Sequence, residues 1–411
     1  MTTDNITTHQ VNITLIRWLT YLMFLMFAMT TDAVGVIIPE LMSQFDLGMT
    51  KAGMIHYGPM LAIAISGLAF GFLPDRLGRK QSIILGLSIF SVSAFCFIFG
   101  NTFYFFLSLM IISGLAIGIF RSSALALIGD ISTSTVEHTR TTNGVEAFFA
   151  IGAIIGPFIV TSLLARGVDW KWLYFIAGFL CLILITLASM SKYPTAKRHD
   201  SEPVNLARTL HLMKDPYTMG FSLGAFLYVA SESAIYVWMP TYLQGYHGPN
   251  LQLAAYALTL FFVLRAVGRF LGMWLLGHFN WTTVMVLCSG IIAACFIGAV
   301  IGGRHWAVYL LPASGLFMSV IYPTLNSKGI SCFEKNKHGT VAGLILFFTA
   351  AGAAIGPLIM GLVSDWLGGD PVYGFMVATF FSGILFIGFL YNWLKKPVEA
   401  KLRSIEQSEY A

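Results

Sequence analysis

Gly152-Ala-Ile-Ile-Gly156-Pro157 stands about 200 residues before Gly352-Ala-Ala-Ile-Gly356-Pro357. The same spacing separates Ser113-Gly114-Leu115 from Ser314-Gly315-Leu316, and Asp32 from Glu232. One such match arises easily by chance, but three at a near-constant offset imply that the chain is built from two related halves.

Composition identifies the solvent of these helices. Hydrophobic residues make up 57% of the 411-residue chain and charged residues only 10%, whereas an ordinary soluble domain carries about 25% charged residues. Mean hydropathy is +0.76. A water-soluble fold has nowhere to bury that much apolar surface, and 40 glycines with 14% aromatics suit packed membrane helices. The five cysteines, Cys96, Cys181, Cys288, Cys295 and Cys332, show neither CxxC pairing nor metal-ligand spacing and read as packing residues. The segment ahead of the first apolar run has no basic n-region or small-residue cleavage site, so that run is expected to persist as a helix.

About 20 helical residues cross the apolar core of a bilayer. Hydropathy and loop residues predict spans at 15–39, 51–73, 81–99, 103–127, 142–165, 172–191, 216–244, 251–277, 281–302, 305–327, 338–364 and 371–395. The fold class is therefore an all-α membrane protein with twelve transmembrane helices in two pseudo-symmetric six-helix halves. Residues 1–191 form the first half, 192–215 a polar linker and 216–411 the second half.

Of the 24 Lys and Arg residues, Lys51, Arg166, Lys171 and Arg304 fall in loops on one side, and Arg121, Arg265 and Arg269 fall inside spans. All the others lie on the opposite side. That distribution is a topology signal, with no basic face for nucleic acid, and it predicts a cytoplasmic location for both termini and the linker. The expected setting is the cell inner membrane, multi-pass, with a monomer as the working unit.

Between the second and third spans runs Gly71-Phe-Leu-Pro-Asp75-Arg76-Leu-Gly78-Arg79-Lys80. Gly71 allows close helix contact, Asp75 suits a basic partner or helix N-terminus, and the Arg-Lys cluster suits an anionic leaflet. This run resembles the major facilitator loop signature GxLaDrxGrk, departing only at Pro74. The resemblance implies the major facilitator fold and a cytoplasmic gate formed by Gly71, Asp75, Arg76, Gly78 and Arg79. The second half resembles the fucose/glucose/galactose–proton symporter branch. The residues carrying that likeness are Val267-Gly268-Arg269-Phe270-Leu271-Gly272, Tyr322-Pro323-Thr324 followed by Ser327 and Gly329, and Gly361-Leu-Val-Ser-Asp365.

Ionisable residues inside spans are costly unless they face a cavity or a partner, so they point to function. Asp32 lies seven residues before Glu40, about 10 Å inside the end of its span. The symporter branch places its proton-binding acid in a similar first-span setting, which implies proton carriage by Asp32. Where that branch has a second acid, this chain has Arg121. The reversed charge suits a partner for Asp32 or Glu146, or direct binding of an anionic solute. Glu232 and Arg265 are the corresponding acid and base of the second half. Proton coupling is thus expected at Asp32, Glu146 and Glu232. Substrate binding is expected from Arg121, Asn143, Arg265, Tyr236, Tyr322 and Asn326.

These residues predict a secondary transporter, with no cofactor and no metal, whose partners are a small-molecule substrate, protons and the lipid bilayer. A proton-coupled importer of a hexose or sugar-like polyol leads, with a sugar-acid or organic-anion carrier second and a drug exporter third. Neither a nucleotide-binding loop, a metal-spaced His cluster nor a Ser-His-Asp pattern supports an enzyme.

Overall fold

A computed structural model describes residues 12–194, 212–334 and 337–410. Among these residues the structure is helical, without a strand. The long helices are α1 (Ile13–Phe45), α2 (49–69), α3 (Arg79–Phe99), α4 (Phe103–Ile131), α5 (Thr135–Leu164) and α6 (Trp172–Met190). They continue as α7 (Pro216–Leu243), α8 (Ala257–His278), α9 (Trp281–Ile301), α10 (Gly303–Ser331), α11 (His338–Trp366) and α12 (Pro371–Lys395), followed by α13 (Pro397–Tyr410).

Eleven helices among the described residues are long and apolar enough to cross a membrane. The twelfth expected span is α2, a short turn at Met49–Ala52 and a longer helix at Met54–Ala69 separated at Gly53. Together they give about 30 Å of helix, enough for one crossing. Most of the expected linker, 195–211, lies outside the described residues.

Two compact units divide the chain. The first holds Met1–Thr31, Leu61–Gly156 and Val168–Asp200; the second holds Asp32–Met60, Pro157–Gly167 and Ser201–Ala411. Within the first, α3 packs on α4 and α6, and α1 on α6; within the second, α9 packs on α10 and α12, and α7 on α12. The pairings match at the offset read from sequence.

So do the glycines. A methyl group at Gly152 or Gly156 would meet the Leu25 or Met29 carbonyl of α1 at 2.2 or 2.0 Å. At Gly352 or Gly356 it would meet the Phe226 carbonyl or Ala230 Cα of α7 at 2.6 or 2.7 Å. The repeated motif therefore lets α5 touch α1 and α11 touch α7 backbone to backbone.

Helix ends follow local chemistry. The Asp215 carboxylate accepts N–H groups of Tyr217 and Thr218 at 2.9 and 3.1 Å ahead of Pro216, and Asp370 accepts that of Val372 at 3.0 Å ahead of Pro371. An aspartate cap followed by proline at the first helical position starts both α7 and α12. Four cysteines are buried and Cys96 is half-buried; Cys332, just beyond the end of α10, is fully covered.

Candidate functional site

Two helices break their regular pattern at the acids the repeat pairs. In α1, helical segments Ile13–Thr31 and Val34–Phe45 are separated by a turn at Asp32 and Ala33. In α7, a π turn covers Ala234–Trp238, directly after Glu232 and Ser233. Pro240 explains part of this, because it has no N–H to offer the Tyr236 carbonyl. That carbonyl lies where a methyl group at Gly35 would be, at 1.9 Å, so the α1 segment beyond Asp32 fits against the π turn only because residue 35 is glycine. Broken helices at such a depth expose backbone polar groups where binding sites form.

Around the π turn the second unit gathers charge. The Glu232 carboxylate is buried, with Arg265 Nε at 2.9 Å and the Tyr228 hydroxyl at 2.7 Å from its Oε1. The Tyr228 hydroxyl also lies 2.8 Å from the Met318 carbonyl, and its ring stacks near Tyr322, with centroids 6.4 Å apart. Arg265 keeps 29% of its side chain exposed. A guanidinium held through one nitrogen and otherwise accessible can grip a second oxygen-bearing partner. Asp32 is half-buried and acts electrostatically on both Arg265 and Tyr236. Because α1 runs on to Phe45, Asp32 lies about 20 Å from that end, deeper than the sequence suggests.

His56 closes this cluster. Its Nε2 is 3.3 Å from the Ala353 carbonyl, and its ring is 5.5 Å from Tyr236. Asn326 is half-buried one turn beyond Tyr322 on α10. The second unit thus brings together Asp32, Glu232, Tyr236, Arg265 and Tyr322, with Tyr228 and His56 as supports.

The first unit holds the other expected residues and corrects one pairing. Arg121 Cζ stands 5.7 Å from the Phe149 ring centroid, a cation–π arrangement. Glu146 and Asn143 are exposed, and among the described residues no ion pair joins Glu146 to Arg121. The two side chains sit on neighbouring helices, but their rotation about each axis aims Arg121 at an aromatic face.

The loop after α2 is tighter than expected. Arg79 donates to Asp75 Oδ1 at 2.6 Å and to Asp130 Oδ2 at 2.7 Å. Gly78 adopts φ +87, a left-handed conformation that turns the chain into α3 and favours glycine. Lys80 donates to the carbonyls of Ser189 and Ser191 at 2.7 and 2.8 Å, capping the end of α6. Arg79 and Lys80 are therefore committed to protein groups and not to lipid headgroups, while Arg76 lies over the Phe72 ring at 5.1 Å. A methyl group at Gly71 would meet the Gly67 carbonyl of the preceding turn at 2.6 Å and no neighbouring helix, so its smallness serves the turn. Asp130, the buried partner of Arg79, was invisible in the motif; its signal is an acid at the end of a span beside a basic loop.

A second aspartate ties helix ends together in the second unit. Both oxygens of Asp365 accept backbone N–H groups, from Met49 and Thr50, each at 2.8 Å. Tyr57 donates to the Thr50 carbonyl in the same turn. Elsewhere in the first unit, Glu137 pairs with Arg17 and accepts the Thr133 hydroxyl and N–H at 2.6 and 2.7 Å. Those Thr133 bonds, followed by Arg17, hold its carboxyl down at about 2.

The Major Facilitator Superfamily model matches residues 20–354. The chain is 25% identical over 401 residues to the L-fucose-proton symporter of Escherichia coli (strain K12), covering 89% of this chain and 90% of that protein. It is 23% identical over 391 residues to the Protein TsgA homolog of Buchnera aphidicola subsp. Baizongia pistaciae (strain Bp), covering 90% and 95%. A crystal structure of a point mutant of the nucleoside transporter NupG superposes with a TM-score of 0.77 at 14% identity, over 92% of this chain and 99% of that one.

Proposed function

The chain belongs to the Major Facilitator Superfamily and is a transporter without an enzymatic reaction, and on that premise we propose that it is a proton-coupled symporter of a hexose or sugar-like polyol. In this reading it is an inner-membrane protein with cytoplasmic termini. Residues 1–191 and 216–411 rock about a central site by alternating access, joined by 192–215, and the Asp75–Arg79–Asp130 cluster latches the first half.

The observation that carries the proposal is the buried Glu232–Arg265 pair beside Asp32 at two broken helices. A carboxylate buried at membrane depth is tolerable only while a cation or a proton neutralises it. Protonation of Glu232 releases Arg265 toward a solute oxygen, and Asp32 takes up the proton when it is open to the outside. Tyr236, Tyr322 and Asn326 then supply an aromatic face, hydroxyls and an amide for sugar oxygens.

The test is solute-dependent proton movement in reconstituted vesicles across hexoses, polyols and sugar acids. Asp32→Asn is expected to abolish accumulation driven by a pH gradient while equilibrium exchange persists. If Asp32→Asn accumulates solute as well as the parent chain, its coupling role is wrong.

Arg121 supports a second reading. An intramembrane arginine placed over Phe149 and not ion-paired with Glu146 suits a carboxylate ligand, so a sugar-acid carrier using Arg121 and Arg265 is the alternative. Preferred uptake of a sugar acid over its neutral sugar, lost in Arg121→Gln, selects it.

A further inference from the structure

A cavity of about 540 Å³ opens on the second unit, away from the charged cluster, between the start of α7, the end of α12 and the start of α13. Its floor is apolar and buried, formed by Phe221, Leu325 and Leu385. At its mouth Leu223 and Tyr391 are exposed. Gly220 and Gly388 line it from opposite helices, and a methyl group at either would meet no atom within 4 Å. The space therefore exists because two helices carry glycine where a larger side chain would fit.

The rim is basic and aromatic. Trp281 and Tyr217 both line the cavity. Lys328 Nζ sits 5.7 Å from the Trp281 ring centroid, and Lys401 Nζ sits 5.8 Å from that of Tyr217. Lys395 and Lys396 are exposed at the end of α12. Cys332 lies under this rim: burial pushes its thiol up to about 11, while Lys401 and Lys328 act on it in the opposite direction and Asp215 with the burial. The acids present are already engaged, Asp215 by the first N–H groups of α7 and Glu399 by the Thr282 hydroxyl at 3.4 Å.

We propose that this cavity is a binding site for an anionic phospholipid, with one acyl chain in the cavity and the phosphate at Lys328 and Lys401. An apolar slot of this size accepts an acyl chain, and aromatic side chains at an interface flank headgroups. A neutral lipid would make no use of two lysines held over aromatic residues of the lining, whereas basic clusters at helix ends select anionic headgroups.

The test uses the full chain in nanodiscs of phosphatidylcholine mixed with phosphatidylglycerol, with retained lipid counted by native mass spectrometry. The parent chain is expected to keep phosphatidylglycerol in preference to phosphatidylcholine. Lys328→Gln and Lys401→Gln are each expected to weaken that retention about five-fold. Gly388→Leu fills open space and is expected to exclude the lipid while raising the melting temperature in detergent. Equal retention of both lipids by the parent chain would show an unselective crevice and overturn the proposal. Selective retention that survives in the Lys328→Gln/Lys401→Gln double variant would place the lipid elsewhere and overturn it too. Should Gly388→Leu fail to fold, the double lysine variant alone decides.

Discussion

Arg79 of the first unit is 7% exposed and carries a carboxylate on each side of its guanidinium, Asp75 and Asp130. Arg265 of the second is 29% exposed and is bound through Nε by one carboxylate, Glu232. The first arrangement gives its arginine one acceptor at Nε and another at Nη1, so a change in protonation at one acid leaves the other in place. The second has one buried acid at its Nε, with Asp32 also acting on it electrostatically, and a guanidinium still 29% exposed. Doubly clamped charge suits a latch, and singly clamped charge suits a switch.

The sharpest way to break this contrast is Arg265→Ala. It strands Glu232 in a low-dielectric site and is expected to cost about 3–5 kcal/mol of stability, with loss of transport. Pairing it with Glu232→Gln should restore most of the melting temperature but not the uptake. Recovery of uptake in that double variant would make the pair structural.

Arg79→Ala is expected to cost about 3 kcal/mol, because Asp130 is only 5% exposed and loses its cation. Asp75→Asn at the other end, 63% exposed, should cost less than about 1 kcal/mol. Equal losses on thermal unfolding would show that the two acids are not the buried and open ends of one clamp.

Asp365→Ala removes the acceptor of two amide hydrogens. It is expected to cost about 1 kcal/mol and to speed hydrogen exchange at Met49 and Thr50 about five-fold. Unchanged exchange there would mean that other groups hold the start of α2.

The smallest effect concerns Glu137. Its carboxyl titrates at about 2 in the folded chain against an ordinary 4.5, so its bonds stabilise the folded form above pH about 4.5 and are lost as the pH falls toward 2. Protection of the Thr133 amide relative to its intrinsic exchange rate should therefore fall across that window in the parent chain and stay constant in Glu137→Gln.

Much of this was legible in the linear chain. Apolar content announced a membrane protein, because hydrocarbon admits only long apolar helices. The Gly-x-x-x-Gly-Pro repeats mark corresponding helices of two related halves, while the contacts that Gly152, Gly156, Gly352 and Gly356 make with a partner helix emerge only from the packing. Glu232 and Arg265 stand in the sequence as the acid and base of the second half, and they meet.

Charge partners on different helices were another matter. Whether two side chains meet depends on the rotation of each helix about its axis, and helix packing sets that rotation through contacts dispersed over the chain. Arg121 and Glu146 lie inside successive spans as Glu232 and Arg265 do, yet among the described residues the first pair is not formed. Asp130, Asp365 and the π turn at Ala234–Trp238 likewise emerge only once distant segments lie side by side. The sequence by itself determined a duplicated, lipid-embedded helical chain, since composition and small-residue spacing act along one helix at a time. Tertiary structure decided which charges are clamped and which are left to switch, since that depends on how the helices face one another.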